Sequence, residues 1–490
     1  MTTDTSTKLD PALLFIDGEF RSGTTGETVD DIDPTTEDVI CTVAQATPED
    51  VDTAVTAARR AFESGPWPAL SPKERSKLLI RIAAAIDERG DELALRETLD
   101  VGKPFATTAR DDVANAADLL RYYAGLVEQL DGAARPVGGD SLAYTRREPL
   151  GVVGAITPFN FPLKLTMNKV APALAAGNTI VQKPAGTTPL SAIKLAEIMH
   201  DAGLPSGVYN VVPGPGRTVG DAIISHPGID KIAFTGSTSV GKHLIAAGAD
   251  TLKRVTVELG GKGAQIIFDD ADPERAIESA FRGAFFNTGQ FCMAGSRLLV
   301  QRSIYDKIVD GLVTRVENAV IGDPFDHGTE LGPLAHKAQF DKVVEYVAIG
   351  KAEGAVLRTG GAAGYQGWNG RGYFHQPTIF ADATPQMRIS QEEIFGPVLT
   401  VIPFDTEDEA IAIANGTPYG LSAGLHSRDL HRVHRVAARL HAGIVWVNIW
   451  GVLQSNTPFG GYKASGYGRE LGPEALEEYL QYKTVYLGLD

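Results

Sequence analysis

Between residues 151 and 260 the chain reads GVVGAIT (151–157), NTIVQK (178–183), VYNVV (208–212), KIAFTG (231–236) and VTVELG (255–260), short β-branched runs that each end near a glycine or a polar residue. Separating them are PALAAG (172–177), TPLSAIKLAEIMHDAG (188–203), TVGDAIISHPG (218–228) and SVGKHLIAAG (239–248), which have the composition and spacing of helices. Strand and helix alternating at this pitch predict βαβ units and a parallel sheet covered on both faces. A second series runs through AQIIF (264–268), RLLVQ (297–301), VLTVIPF (398–404) and IVWVN (444–448), with helices such as PERAIESAFRGAFFN (273–287) and TEDEAIAIANG (406–416) between them. The fold class is therefore α/β, with two units in tandem.

Ahead of this region, LLFIDGEF (13–20), SGTTGETVDDIDPTT (22–36) and VICTV (39–43) read as short strands and turns. Thr47-Pro48-Glu49-Asp50 then supplies a cap, an N1 proline and first-turn acids before Val51, Val55, Ala58 and Phe62 at helical spacing. Ser71-Pro72-Lys73-Glu74 repeats the device as a capping box before Leu78, Ile82 and Ile86. The last stretch, EALEEYLQYKTVYLGLD (474–490), reads as a short helix and a terminal strand that pairs with another element or another subunit.

With 490 residues, 43% of them hydrophobic and 22% charged, the chain suits about two to four folded domains. Its 45 basic against 61 acidic residues, a net charge of −16, oppose nucleic acid or an anionic membrane as partner. The longest run free of Lys, Arg, Asp and Glu, from Leu440 to Tyr462, is broken by Asn448, Gln454, Pro458 and paired glycines and does not suit lipid. MTTDTSTKLD at the start lacks a basic and an apolar region, so no secretory signal is expected and a cytoplasmic location is the default. Two cysteines, Cys41 and Cys292, are too few for a disulfide framework or a thiolate metal cluster, and no metal is expected.

Two glycine loops invite a nucleotide reading. GSTSVGKH, Gly236 to His243, fits GxxxxGK, but His243 stands where Ser or Thr would hold magnesium, so the NTPase reading loses its metal ligand. Such a strand-to-helix turn still directs N–H groups at an anion such as a pyrophosphate, although a turn that merely needs glycine explains it equally. GPGRTVG, Gly214 to Gly220, is spaced GxGxxxG instead of GxGxxG and reads as a turn in preference to a dinucleotide fingerprint.

Cys292 lies in NTGQFCMAGSR (287–297), between a small-residue turn and a strand, unlike Cys41 inside an apolar strand. Loop N–H donors favour a thiolate, which makes Cys292 the candidate nucleophile. Glu258 closes a parallel strand beside Gly260-Gly261, at the end where α/β folds build sites, and is a candidate general base or a glutamate satisfied by backbone N–H groups.

TPFNFP (157–162), KPA (183–185), FTGSTSVG (234–241), VELGGK (257–262), FNTGQFC (286–292), EEIFGPV (392–398) and PFGGYKASGYGRE (458–470), in this order, closely resemble the aldehyde dehydrogenase superfamily. The resemblance implies two Rossmann-type parallel α/β domains and a small β oligomerisation arm. Residues 1–126 and 149–258 correspond to the NAD(P)-binding domain, 259–474 to the catalytic domain, and 127–148 with 475–490 to the arm. The implied activity is NAD(P)-dependent oxidation of an aldehyde to a carboxylic acid. By resemblance Cys292 attacks the aldehyde, Asn160 with the cysteine N–H holds the oxyanion, and Glu258 activates the water that hydrolyses the thioacyl enzyme. Glu258 speaks against the branch that transfers the acyl group to coenzyme A. Retention of Cys292, Glu258, Asn160 and Lys183 together speaks against a silent structural member.

The same resemblance assigns the cofactor to Ile156, Thr157, Pro158, Phe159, Lys183, Gly186, Gly216, Gly220, Phe234, Gly236, Ser237, Val240, Leu259, Glu393 and Phe395. Lys183 corresponds to the adenosine ribose contact, Gly236 and Ser237 to the pyrophosphate turn, Glu393 and Phe395 to the nicotinamide ribose and ring. Gly186 replaces the glutamate with which many NAD-using members hold the ribose hydroxyls, so use of both NAD and NADP is expected. Phe159 replaces a common tryptophan. The aldehyde tunnel is implied to be lined by Phe161, Lys164, Leu165, Asn168, Phe286, Phe291, Met293, Leu453 and Phe459, with Trp450 nearby. Such walls suit a hydrophobic or aromatic aldehyde, and no acid is evident there for a quaternary ammonium. Lys164 either turns out of the tunnel or anchors the carboxylate of a semialdehyde. A homodimer or homotetramer follows by resemblance.

Overall fold

The five parallel runs fold as expected into the centre of an eight-stranded sheet. A computed structural model describes residues 8–489; the segment MTTDTST, on which part of the signal-peptide reading rests, lies outside them. In the sheet the strands Tyr209–Val211, Thr179–Lys183, Val152–Ile156, Lys231–Thr235 and Arg254–Glu258 lie side by side, all parallel. The chain proceeds from Val152–Ile156 in one direction and later returns to build on its other side. That reversal leaves a crevice beyond the carboxyl ends of Val152–Ile156 and Lys231–Thr235.

Side-chain alternation along the strands divides two cores. Val153, Ala155 and Ile180 pack on Leu163, Val170, Leu174 and Leu195, whereas Val152, Ile156, Val181, Ile232 and Phe234 pack on Val51, Val55, Ile223 and Leu244. Every residue of the strands 152–156, 179–183 and 231–235 is buried, as covering both faces requires. Both anticipated capping boxes form, Thr47 with Asp50 on the helix Pro48–Glu63 and Ser71 with Glu74 on Pro72–Glu88.

The sequence LLFIDGEF is a hairpin, Leu14–Ile16 against Glu19–Arg21, turning through Asp17 and Gly18 at φ 60° and 83° and joining the sheet beside Tyr209–Val211.

The second sheet has seven strands, ordered Val356–Thr359, Thr378–Ala381, Val398–Phe404, Arg297–Gln301, Ala264–Ile267, Ser422–His426 and Ile444–Val447. Three of these, 356–359, 378–381 and 422–426, are additions to the sequence reading. SAGLH is too small and glycine-containing to announce a strand, yet it lies between two others in the sheet, fully buried. Leu480–Gly488 pairs antiparallel with Ser141–Pro149 of the same chain, from Leu480 opposite Pro149 to Gly488 opposite Ser141, and Ala134–Arg135 adds a third strand. Among the described residues no helix is long and apolar enough to cross a membrane.

A buried ionic cluster fixes the start of the helix Pro162–Ala176. Lys103 Nζ donates to Glu97 at 2.6 Å and Asp112 at 2.7 Å. Glu97 Oε1 accepts from the Leu163 N–H at 3.0 Å, and Lys103 lies 4.4 Å from the Phe161 ring centroid. Removing the ammonium in Lys103→Met leaves two carboxylates without their cation in the interior. Chemical denaturation is expected to show a loss of about 3–5 kcal/mol; a loss below about 1 kcal/mol contradicts this account.

Candidate active site

Cys292 lies where two cavities meet. One, of about 730 Å³, occupies the crevice at the strand reversal, and the other, of about 130 Å³, runs along the first turns of the helix Pro162–Ala176. Cys292 and Leu165 are on the walls of both. Cys41 is buried in the strand Val39–Ala44, on neither wall.

The turn before Cys292 is strained. Asn287, Thr288 and Gly289 are successively left-handed, at φ 49°, 55° and 73°. At Gly289 a Cβ would lie 2.2 Å from the Gly396 carbonyl, so only glycine lets this turn close on the 392–398 loop. Asn287 Nδ2 donates to the carbonyls of Asn160 at 3.0 Å and Gln290 at 3.2 Å, while Asn160 Nδ2 donates to Gln290 at 2.9 Å. Asn160 is thereby fixed beside the cysteine loop, on the crevice wall.

The electrostatics correct one expectation. The sequence suggested a thiolate stabilised by loop N–H groups, but only the Met293 N–H acts in that sense; burial, then Glu393, Glu258 and Glu470, push the Cys292 thiol up to about 12. In this form of the site Cys292 is a neutral thiol, and its proton must leave as it attacks. Alkylation of the cofactor-free protein by iodoacetamide is expected to rise about tenfold per pH unit from pH 7 to 9 without a plateau. A plateau below pH 8, followed by mass spectrometry of the Cys292 peptide, contradicts this assignment.

Glu258 ends its strand 5% exposed, on the wall of neither cavity but near enough to Cys292 to help raise its thiol. Its Oε2 has no hydrogen-bond partner among the described residues. Burial, then the nearby Glu470, hold its pKa well above the ordinary carboxylate value, partly offset by Lys169 and Arg469. Lys169 Nζ donates to Glu470 and to Thr235, and Asn168 Nδ2 donates to Glu470 at 2.9 Å. Asn168, expected only as a tunnel residue, lines the tunnel and also belongs to this buried network.

Of the anticipated cofactor residues, all except Gly186 line the crevice, which Gly186 adjoins through Ala185. A Cβ at Gly186 would meet nothing within 4 Å. Lys183 Nζ donates to the Pro184 carbonyl at 2.7 Å, with its pKa pushed down to about 8 by burial. Ser237 caps the helix Thr238–Gly248, whose N-terminus faces the crevice. Glu393 Oε1 accepts from the Gly261 N–H at 2.9 Å. Phe159 packs edge-on against Phe395 at 5.7 Å and His336 at 4.7 Å. A basic side chain, a helix N-terminus, a buried carboxylate and two aromatic rings along one crevice fit an extended nucleotide. Sequence reading missed Arg217, Ser239, His243, Gln339 and Lys342 on this wall. Gln339 Nε2 donates to the carbonyls of Ile394 and Phe395 at 3.0 and 2.7 Å, across a separation no local pattern reveals.

All ten anticipated tunnel residues line the second cavity, Trp450 among them, its Nε1 donating to the Met293 carbonyl at 3.1 Å. Phe161 and Phe286 stack 6.1 Å apart, and Phe291 meets Phe286 edge-on at 5.6 Å. Arg282 and Gly451 are additions. The signal for Arg282 was its place four residues before Phe286 on the PERAIESAFRGAFFN run.

A doubly wound sheet with a nucleotide-sized crevice at its strand reversal, meeting a narrow apolar tunnel at one cysteine, has the layout of a cofactor-dependent enzyme for small molecules. The sequence model of the aldehyde dehydrogenase family matches residues 20–485, and the chain belongs to that family. It is 49% identical over 480 residues to an aldehyde dehydrogenase of Emericella nidulans, covering 98% of this chain and 95% of that protein. It is 47% identical over 475 residues to a mitochondrial aldehyde dehydrogenase of Mesocricetus auratus, covering 96% and 94%. The NAD+ complex of an aldehyde dehydrogenase from Bacillus cereus superposes with a TM-score of 0.96 at 46% identity, over 98% of this chain and 97% of that one. A Staphylococcus aureus betaine aldehyde dehydrogenase in complex with NAD+ gives 0.95 at 41%, over 98% and 95%. The protein is an NAD(P)-dependent oxidoreductase of the aldehyde dehydrogenase family.

Proposed function

We propose that this enzyme oxidises a hydrophobic or aromatic aldehyde to the free carboxylic acid through a covalent intermediate on Cys292. The observation that carries the reading is that Cys292 lines both the crevice and the tunnel, so a carbonyl entering from one side meets whatever the other side holds. Sγ bonds to the aldehyde carbon as the S–H bond breaks and its proton passes to solvent, and Asn160 Nδ2 with the Cys292 N–H stabilises the oxyanion of the thiohemiacetal. NAD(P)+, when bound, supplies the hydride acceptor. Lys183, Ser237 and Glu393, on the crevice wall, would hold it. Glu258 then takes a proton from the water that attacks the resulting thioester. A raised pKa suits that task, because a carboxylate with greater proton affinity is the stronger base.

Among the described residues the tunnel wall contains no Asp or Glu, which opposes a quaternary ammonium substrate of the betaine aldehyde type. Open space at Gly186 supports use of both NAD and NADP. We expect kcat/KM for the two cofactors to lie within about tenfold of each other, and Gly186→Glu to lower the NADP value tenfold or more through repulsion of the 2′-phosphate. A large NAD preference in the unaltered enzyme defeats the dual-use reading. We extend the proposal to a cytoplasmic homodimer or homotetramer, with domain limits as the sequence implies. The exposed Tyr482, Tyr486 and Leu487 of the terminal strand support an arm that meets a second subunit. The overall test is reduced-cofactor formation across aromatic, aliphatic and carboxylate-bearing aldehydes; absence of turnover with every pair overturns it.

A further inference from the structure

Lys164 and Arg282 are the two cations on the wall of the tunnel that ends at Cys292. Among the described residues neither makes an ion pair, although acids outnumber bases 61 to 45 in this chain and most other exposed arginines and several lysines are paired. Lys164 is third in the helix Pro162–Ala176, where the positive end of the helix dipole repels an ammonium. Its charge therefore does not serve the helix. Nor does it turn away from the tunnel: it is half-buried, with Nζ 5.9 Å from the centroid of Phe161, a wall residue. The buried Lys103, 4.4 Å from the same ring, is already paired with Glu97 and Asp112, so it leaves Lys164 as the cation free to meet a ligand there. Arg282, in the last turn of Pro273–Phe285, lines the same cavity one turn before Phe286. Two unpaired cations thus line a passage that is otherwise largely aromatic and apolar, with no Asp or Glu on its wall among the described residues.

We infer that the outer part of the tunnel is an anion subsite formed by Lys164 and Arg282, and that the preferred substrate is an aldehyde whose apolar, aromatic body carries a carboxylate at the end remote from the carbonyl. The inference rests on the aldehyde dehydrogenase reading above and narrows its substrate class. The carboxylate would pair with the two side chains while Phe161, Phe286 and Phe291 enclose the body and Cys292 faces the carbonyl.

The test compares 4-formylbenzoate and the longer 4-formylcinnamate, each with its neutral methyl ester, in the intact enzyme and in Lys164→Met, Arg282→Met and Lys164→Arg. We expect the anion-to-ester ratio of kcat/KM to fall tenfold or more in both methionine variants for at least one acid, through KM, and Lys164→Arg to restore it. In the unaltered enzyme, raising NaCl from about 0.05 to 0.5 M should lower the same ratio, a readout that needs no variant. Ratios that stay constant across variants and salt overturn the anion subsite. Benzaldehyde separates the two levels: its turnover with constant ratios removes only the subsite, whereas no turnover of benzaldehyde or of any of the four probes removes the underlying reading.

Discussion

Cys292→Ala is expected to lower cofactor reduction with benzaldehyde by about four orders of magnitude or more, the scale at which loss of a covalent nucleophile is felt. No other thiol can substitute. Cys41 is buried in the strand Val39–Ala44, its thiol pushed up to about 11 by burial, and touches neither cavity. The substitution removes one sulfur from a cavity wall, so cofactor binding followed by fluorescence titration should persist. Steady-state formation of reduced cofactor, with that titration as the control for folding, checks the result. Turnover within about tenfold of the unaltered enzyme, with cofactor still bound, would contradict the covalent route.

Glu258→Gln should separate the two halves of the reaction. Glutamine keeps the shape of the side chain and cannot accept the water proton, so hydrolysis of the thioester is expected to slow by about 10²–10⁴-fold. Oxidation itself would continue, giving a rapid burst near one equivalent of reduced cofactor per subunit and then slow turnover. Mass spectrometry should find the acyl group on the Cys292 peptide. The sign of the pH effect follows from the raised pKa. In the unaltered enzyme Glu258 is protonated and inactive as a base below its elevated pKa, so hydrolysis falls as pH falls through that value. The variant should lose that dependence. A burst that disappears together with turnover would instead place Glu258 before hydride transfer, as the acceptor of the Cys292 proton.

The carbonyl ends of the two crevice strands, Ile156 and Thr235, were legible because each βα repeat is a local pattern and strands buried on both faces must be apolar. The glycine loops were also visible, but their meaning was not. GPGRTVG departs from the dinucleotide spacing, yet Gly216 and Gly220 line the crevice because the loop follows the parallel strand Tyr209–Val211, whose carboxyl end lies at the same edge of the sheet. SAGLH escaped notice since its place between two strands, and not its propensity, makes it a strand.

Sequence by itself determined the two α/β units and both capping boxes, since these depend on neighbours a few positions apart, while short motifs singled out Cys292 and Glu258 as candidates and resemblance added Asn160. Tertiary structure alone decided three other matters. It put Cys292 at the junction of two cavities, set Glu258 near Glu470 and on the wall of neither, and brought Arg282 to the same cavity as Lys164. The physical reason is the same in each case: pKa, access and charge pairing depend on every group close in space, and those groups come from segments far apart in the chain.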